Sequence, residues 1–96
     1  MNKMNYSTTD IGLLEALVER LEKERLPRLL DLKKIINAGE SLNDFDLEYL
    51  ERSIKDAVSN KPLAERHPEL QTLAMEIIHL YKYISEKALE NEKNNK

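Results

Sequence analysis

Glu76 and His79 stand one helical turn apart in Glu76-Ile77-Ile78-His79. On a helix that spacing lets a carboxylate and an imidazole ligate the same metal ion. A two-metal site of this kind needs a second such pair and two further inward glutamates. The chain holds one pair, so a second copy would have to supply the other. At 100° per residue His79 falls about 150° from the centre of its helix's apolar face, toward solvent. His67 lies roughly three turns before His79, too far along one helix to share an ion with it, and reads instead as a cap for the helix that Pro68 begins. Asp44, Asp46 and Glu48 do not match the calcium-loop pattern D-x-[DN]-x-[DN]-G and read as the acidic start of a helix. No metal site and no cofactor are expected.

An exposed histidine supports a different chemistry. His79-Leu80-Tyr81-Lys82-Tyr83 resembles, over these five residues, the H-x-x-K-G core of histidine phosphotransfer domains, which are small helical bundles. That resemblance implies His79 as phosphoacceptor and Lys82 as the cation that offsets the phosphoryl charge, with Tyr83 standing where the family has glycine. The plain alternative is an ordinary surface histidine. Arg25 and Arg28 are the other chemical pair, because both fall within the apolar sector of the first helix. Chorismate mutases are similar in grouping arginines inside a small helical bundle to grip a dicarboxylate, although the rest of this chain does not carry that family's motif. The competing reading lays the arginine stems over apolar surface and pairs their heads with acids.

The remaining signals exclude more than they include. There is no glycine-rich phosphate loop, and with no cysteine the 96 residues carry no disulfide, thiolate or cysteine-based zinc chemistry. No Ser-His-Asp set can be assembled, so no enzyme is expected. A net charge of −3, with both signs mixed, lacks the basic excess of a nucleic-acid binder. No apolar run approaches the ~20 residues that cross a bilayer, and the first residues lack the apolar stretch of a signal peptide. The expectation is a cytoplasmic protein with neither nucleic-acid nor membrane partners.

Positioning these residues requires helices. With two glycines and three prolines, the chain has few breakers among abundant Leu, Glu and Lys. Residues 1–7 read as a flexible N-terminus, 8–90 as one helical domain and 91–96 as a disordered tail. Thr8, Thr9 and Asp10 offer caps for a first helix over about 9–38. Leu29, Leu32, Ile35 and Ile36 repeat the spacing of Ile11, Leu14, Leu17 and Val18 after five whole turns. The stripe therefore keeps phase through Pro27, which favours one long helix bent near residue 25 over two helices broken before the proline. Gly39 suits a left-handed C-cap. Asn43 reads as N-cap of a second helix, about 43–59, with inner face Leu47, Leu50, Ile54, Ala57 and Val58. A connector over 59–67, with Leu63 on the core, leads to a third helix over about 68–90. Its inner face is Leu70, Leu73, Ile77, Leu80, Tyr81, Ile84 and Ala88. The fold class expected is all-α, a small antiparallel three-helix bundle.

Apolar side chains remain after these faces are filled. Met75, Ile78 and Tyr83 lie off the main stripe of the last helix, Phe45 and Tyr49 opposite the inner face of the middle one, and Leu13, Leu26 and Leu30 off the stripe of the first. Such a surplus on helix after helix points to neighbours on two sides. The expectation is a non-enzymatic protein–protein interaction module, a small regulator or adaptor that forms a homodimer or binds a protein or peptide partner. Its candidate surface is Met75, Ile78, Tyr83, Phe45, Tyr49, Arg25 and Arg28. Two alternatives stand beside it: phosphotransfer centred on His79, and a small-molecule enzyme or binder using Arg25 and Arg28.

Overall fold

Ahead of Gly39 only Gly12 and Pro27 disfavour a helix strongly, and the chain runs helical through both. The computed structural model describes residues 3–94, with side chains from residue 11 onward. Helix α1 spans Lys3–Arg20, a wide π turn spans Leu21–Arg25, and α2 spans Leu26–Asn37 without a break. The π turn is how Pro27 is accommodated. A proline removes one hydrogen bond and its ring collides with the carbonyl one turn earlier. Widening that turn moves the carbonyl away, and the Leu26 N–H reaches back to the Leu21 carbonyl, five residues before it.

Of the stripe expected upstream of the proline, Leu14 and Leu21 are buried and Leu17 and Val18 half-buried, while Ile11 at its far end is exposed. Helix α1 begins at Lys3, so Thr8, Thr9 and Asp10 sit inside it and not at its start. Residues 1–2 and 95–96 lie outside the described residues.

The end of α2 is closed in the first place by its own backbone. Gly39 has φ +85°, the left-handed region that glycine enters without strain. Its N–H donates to the Ile36 carbonyl at 3.0 Å, and the Glu40 N–H donates to the Ile35 carbonyl at 3.2 Å. These are the two bonds of a Schellman cap. Helix α3, Asp44–Ser59, then starts at the expected cap, with Asn43 Oδ1 accepting from the Asp46 N–H at 2.8 Å. The connector contains a short helix α4, Lys61–Arg66, which Pro62 enters in its first turn and which puts Leu63 against the core. His67 is extended, and its carbonyl accepts the first hydrogen bonds of α5 from Leu70 and Gln71.

Helix α5 runs Pro68–Asn94, past the end expected at residue 90. The expected tail is therefore helical as far as Asn94, and Asn91 is buried. Its Nδ2 donates to the carbonyl of Ile36 at 2.7 Å and to that of Glu40 at 3.2 Å. A side chain from the last turns of α5 thus caps the C-terminus of α2.

The core is aliphatic. Leu29, Leu32 and Ile36 of α2 and Leu70, Ile77 and Ile84 of α5 are the largest fully enclosed side chains. Leu14, Leu21 and Leu73, with Leu50 of α3 and Ala64 of α4, complete it. The described residues contain no strand, and none of their helices is long and apolar enough to cross a membrane. The molecule measures 60 × 20 × 19 Å, about two helix diameters across.

Candidate interaction surface

Helix α3 is turned differently from the expected orientation. Its buried residues are Asp46, Leu50 and Ser53, with Tyr49, Ile54, Asp56 and Ala57 half-buried beside them, so Leu50, Ile54 and Ala57 of the expected inner face remain at least partly enclosed. By helical phase this face lies about 80° from the one centred on Ile54. Leu47 and Val58, expected inside, are exposed, and Tyr49, expected outside, packs against the core.

Arg25 and Arg28 explain the turn. Both project from the long helix toward α3 and meet acids there. Arg25 Nη2 lies 3.0 Å from Asp56 Oδ2, and Arg28 Nη2 lies 2.8 Å from Asp46 Oδ1. Each guanidinium also stands over the Tyr49 ring, at 5.2 and 5.3 Å from its centroid. Cations over an aromatic face are attracted by its quadrupole, more strongly as water is excluded. Ser53, fully enclosed, turns its hydroxyl back onto the Tyr49 carbonyl at 2.8 Å and so presents little bulk and no spare donor. The helix packs through a polar seam, and its more apolar flank faces out.

Both arginines are thus engaged within the fold, Arg25 nearly buried and Arg28 with part of its side chain open to solvent. The void beside Arg25 holds about 10 Å³, near the volume one water requires. A dicarboxylate ligand would have to displace Asp46 and Asp56 to reach the two guanidiniums.

Tyr83 is likewise engaged. Its hydroxyl donates to Asn37 Oδ1 at 2.6 Å and Lys33 Nζ stands 5.3 Å from its ring centroid, so it leans on α2 while remaining partly exposed. His79 is exposed on α5, as its phase predicts, and Lys82 and Glu76 are exposed as well. Among the described residues no group of three or more metal-ligating side chains comes together. Phe45, at 80% exposure, is the most open large apolar side chain described, on the flank of α3 away from Leu47.

The open apolar face is built between α3 and α5. Leu47, Val58, Ile78 and Leu89 expose between 38% and 64% of their surface. Near the start of α3 a groove is lined by Leu47, Tyr81, Ala88 and Leu89, with Glu51 and Glu92 at its rim. Near its end a second groove, about 310 Å³, is lined by Val58, Ala64, Ala74 and Ile78, with Lys61 and Glu65 at the rim. Met75 is exposed one turn before Ile78. Of the residues singled out from the sequence, Ile78 belongs here, and Leu47, Val58 and Leu89 were missed. A signal for them existed: Leu47, Ile54 and Val58 step by seven and four, a seam of their own separate from the inner one.

The total surface agrees with an uncovered face. A folded monomer of 11.2 kDa exposes about 5,700 Å² by the usual scaling, whereas this chain exposes 6706 Å². No protein-family model, curated protein or solved structure matches the chain.

Proposed function

We propose that the chain is a non-enzymatic helical interaction module, an antiparallel three-helix bundle whose working surface is the α3–α5 face. The observation that carries this reading is the orientation of α3. The helix seats Asp46, Tyr49, Ser53 and Asp56 inward and leaves Leu47 and Val58 to solvent beside Ile78 and Leu89. Apolar side chains on two adjacent helices form the kind of groove into which a third amphipathic helix lays its own apolar face. Introducing Val58→Glu together with Ile78→Glu tests it. Both side chains are exposed, so the circular dichroism is unchanged and the unfolding free energy stays within about 0.5 kcal/mol of the wild type. An affinity column carrying the double variant loses what the wild-type column retains, whether further copies of the chain or another protein. Identical retention by both columns would sink the reading.

A second reading rests on the exposure of His79 with Lys82 one turn on. It predicts a phosphoramidate at His79 after incubation with a small phosphodonor, absent in His79→Ala. A chain that stays unlabelled leaves the histidine as surface decoration.

A further inference from the structure

The outer surface of α3 is graded in charge along its length. Asp44, Glu48 and Glu51 occupy its first half, and Lys55, followed by Lys61 at the start of α4, occupies the second. All five are exposed, and among them one ion pair is formed, Lys55 to Glu51 at 3.7 Å. Glu92 adds to the acidic end, and Glu65 stands beside Lys61 at the basic end. Between the two ends run Leu47 and Val58, with Ile54 half-buried between them. A surface acidic at one end and basic at the other, with an apolar middle, matches itself when turned end for end.

We infer that the occupant of the α3–α5 face is a second copy of this chain, packed about a twofold axis near Ile54 with α3 antiparallel to its counterpart. This deepens the reading above and rests on it. The twofold sets Glu51 beside Lys55 of the other copy and Glu48 beside its Lys61, each pair occurring twice. Opposite charges across a seam fix register and orientation, as flanking charges do in coiled coils. Area sets the strength. Helix α3, with 16 residues, is about 24 Å long, and two helices side by side are about 20 Å wide, so each copy contributes roughly 500 Å². That is below the ~800 Å² per partner of a standard interface and describes a weak, concentration-dependent dimer.

Sedimentation of the full chain is the direct test. The expected result is monomer at ~5 μM and dimer at ~300 μM, the range of a weak interface. Two charge-reversed chains test the geometry: one carries Lys55→Glu and Lys61→Glu, the other Glu48→Lys and Glu51→Lys. Each alone remains monomeric at the higher concentration, because like charges then meet at both ends. Mixed in equal amounts they dimerise, because every pair then sets an acid of one chain beside a lysine of the other. Wild-type monomer at ~300 μM overturns the inference, as does a mixture no more dimeric than its components. A gradient that served only the dipole of α3 would lower the stability of the second variant and leave every mass unchanged. Were the wild type monomeric while Val58→Glu with Ile78→Glu still stripped another protein from the column, self-association would fail and the docking face would stand.

Discussion

The two ion pairs of the seam are mirror images in exposure, and this makes their mutational costs unequal in a definite way. In one pair the arginine is the buried member: the Arg25 side chain is 11% exposed and that of Asp56 49%. In the other the acid is: the Asp46 side chain is 9% exposed and that of Arg28 41%. Removing the exposed partner strands a buried charge, whereas removing the buried partner leaves a group that water can reach. Asp56→Ala and Arg28→Ala should therefore each cost about 2–4 kcal/mol, and Asp46→Ala less than Arg28→Ala. Urea denaturation of the four single alanine variants gives the ranking. If each buried member proved the costlier loss of its pair, the seam would be held by packing of stems and not by charge. Gly39 makes a second residue-scale case. A Cβ there meets nothing within 4 Å, so Gly39→Ala isolates backbone strain at φ +85° and should cost about 1–2 kcal/mol in thermal melts.

At the scale of elements, most of what the sequence made legible was local. Asn43, Gly39 and Pro68 act through the backbone within a turn or two of themselves, and each stands where a helix begins or ends. The all-helical class follows from the same local logic. What escaped was rotation. The expected inner face of α3 came from counting Leu, Ile and Val, and the actual one is chosen by Arg25 and Arg28, distant in sequence and polar. Hydrophobic period cannot report that an Asp, a Tyr and a Ser will be the preferred contacts, since their partners lie on another helix. The π turn escaped for a related reason: the five-turn echo presumed uniform α geometry, and Pro27 is the residue that breaks it. The acids, bases and apolar residues of the candidate face were all visible. Their membership in one surface required knowing which way α3 is turned.

For the whole molecule, shape matters as much as composition. A radius of gyration of 15.9 Å exceeds the ~12–13 Å of a compact domain of this length. A rod two helices thick encloses few side chains, so each enclosed one carries a large share of stability. Ile77→Ala should cost about 2–5 kcal/mol, a large fraction of what so small a domain has, and show as a lowered melting temperature or loss of cooperative unfolding. The same shape leaves long flanks open, which is where a second rod can lie without distortion of either. Stability and the proposed assembly are thus separable: substitutions inside should move the melting temperature, and those on the α3–α5 flank should move the mass.

The Asn91 amide ties residues 51 and 55 positions apart. Helices form from neighbours, and such a tie closes only after both helix ends have already come to lie together. Asn91→Ala should therefore leave the refolding rate nearly unchanged and speed unfolding several-fold, which stopped-flow chevrons would resolve as movement of one arm. A slowed refolding arm would instead place the contact in the folding nucleus. In the expected case Asn91 governs the lifetime of the native state, not the time taken to reach it.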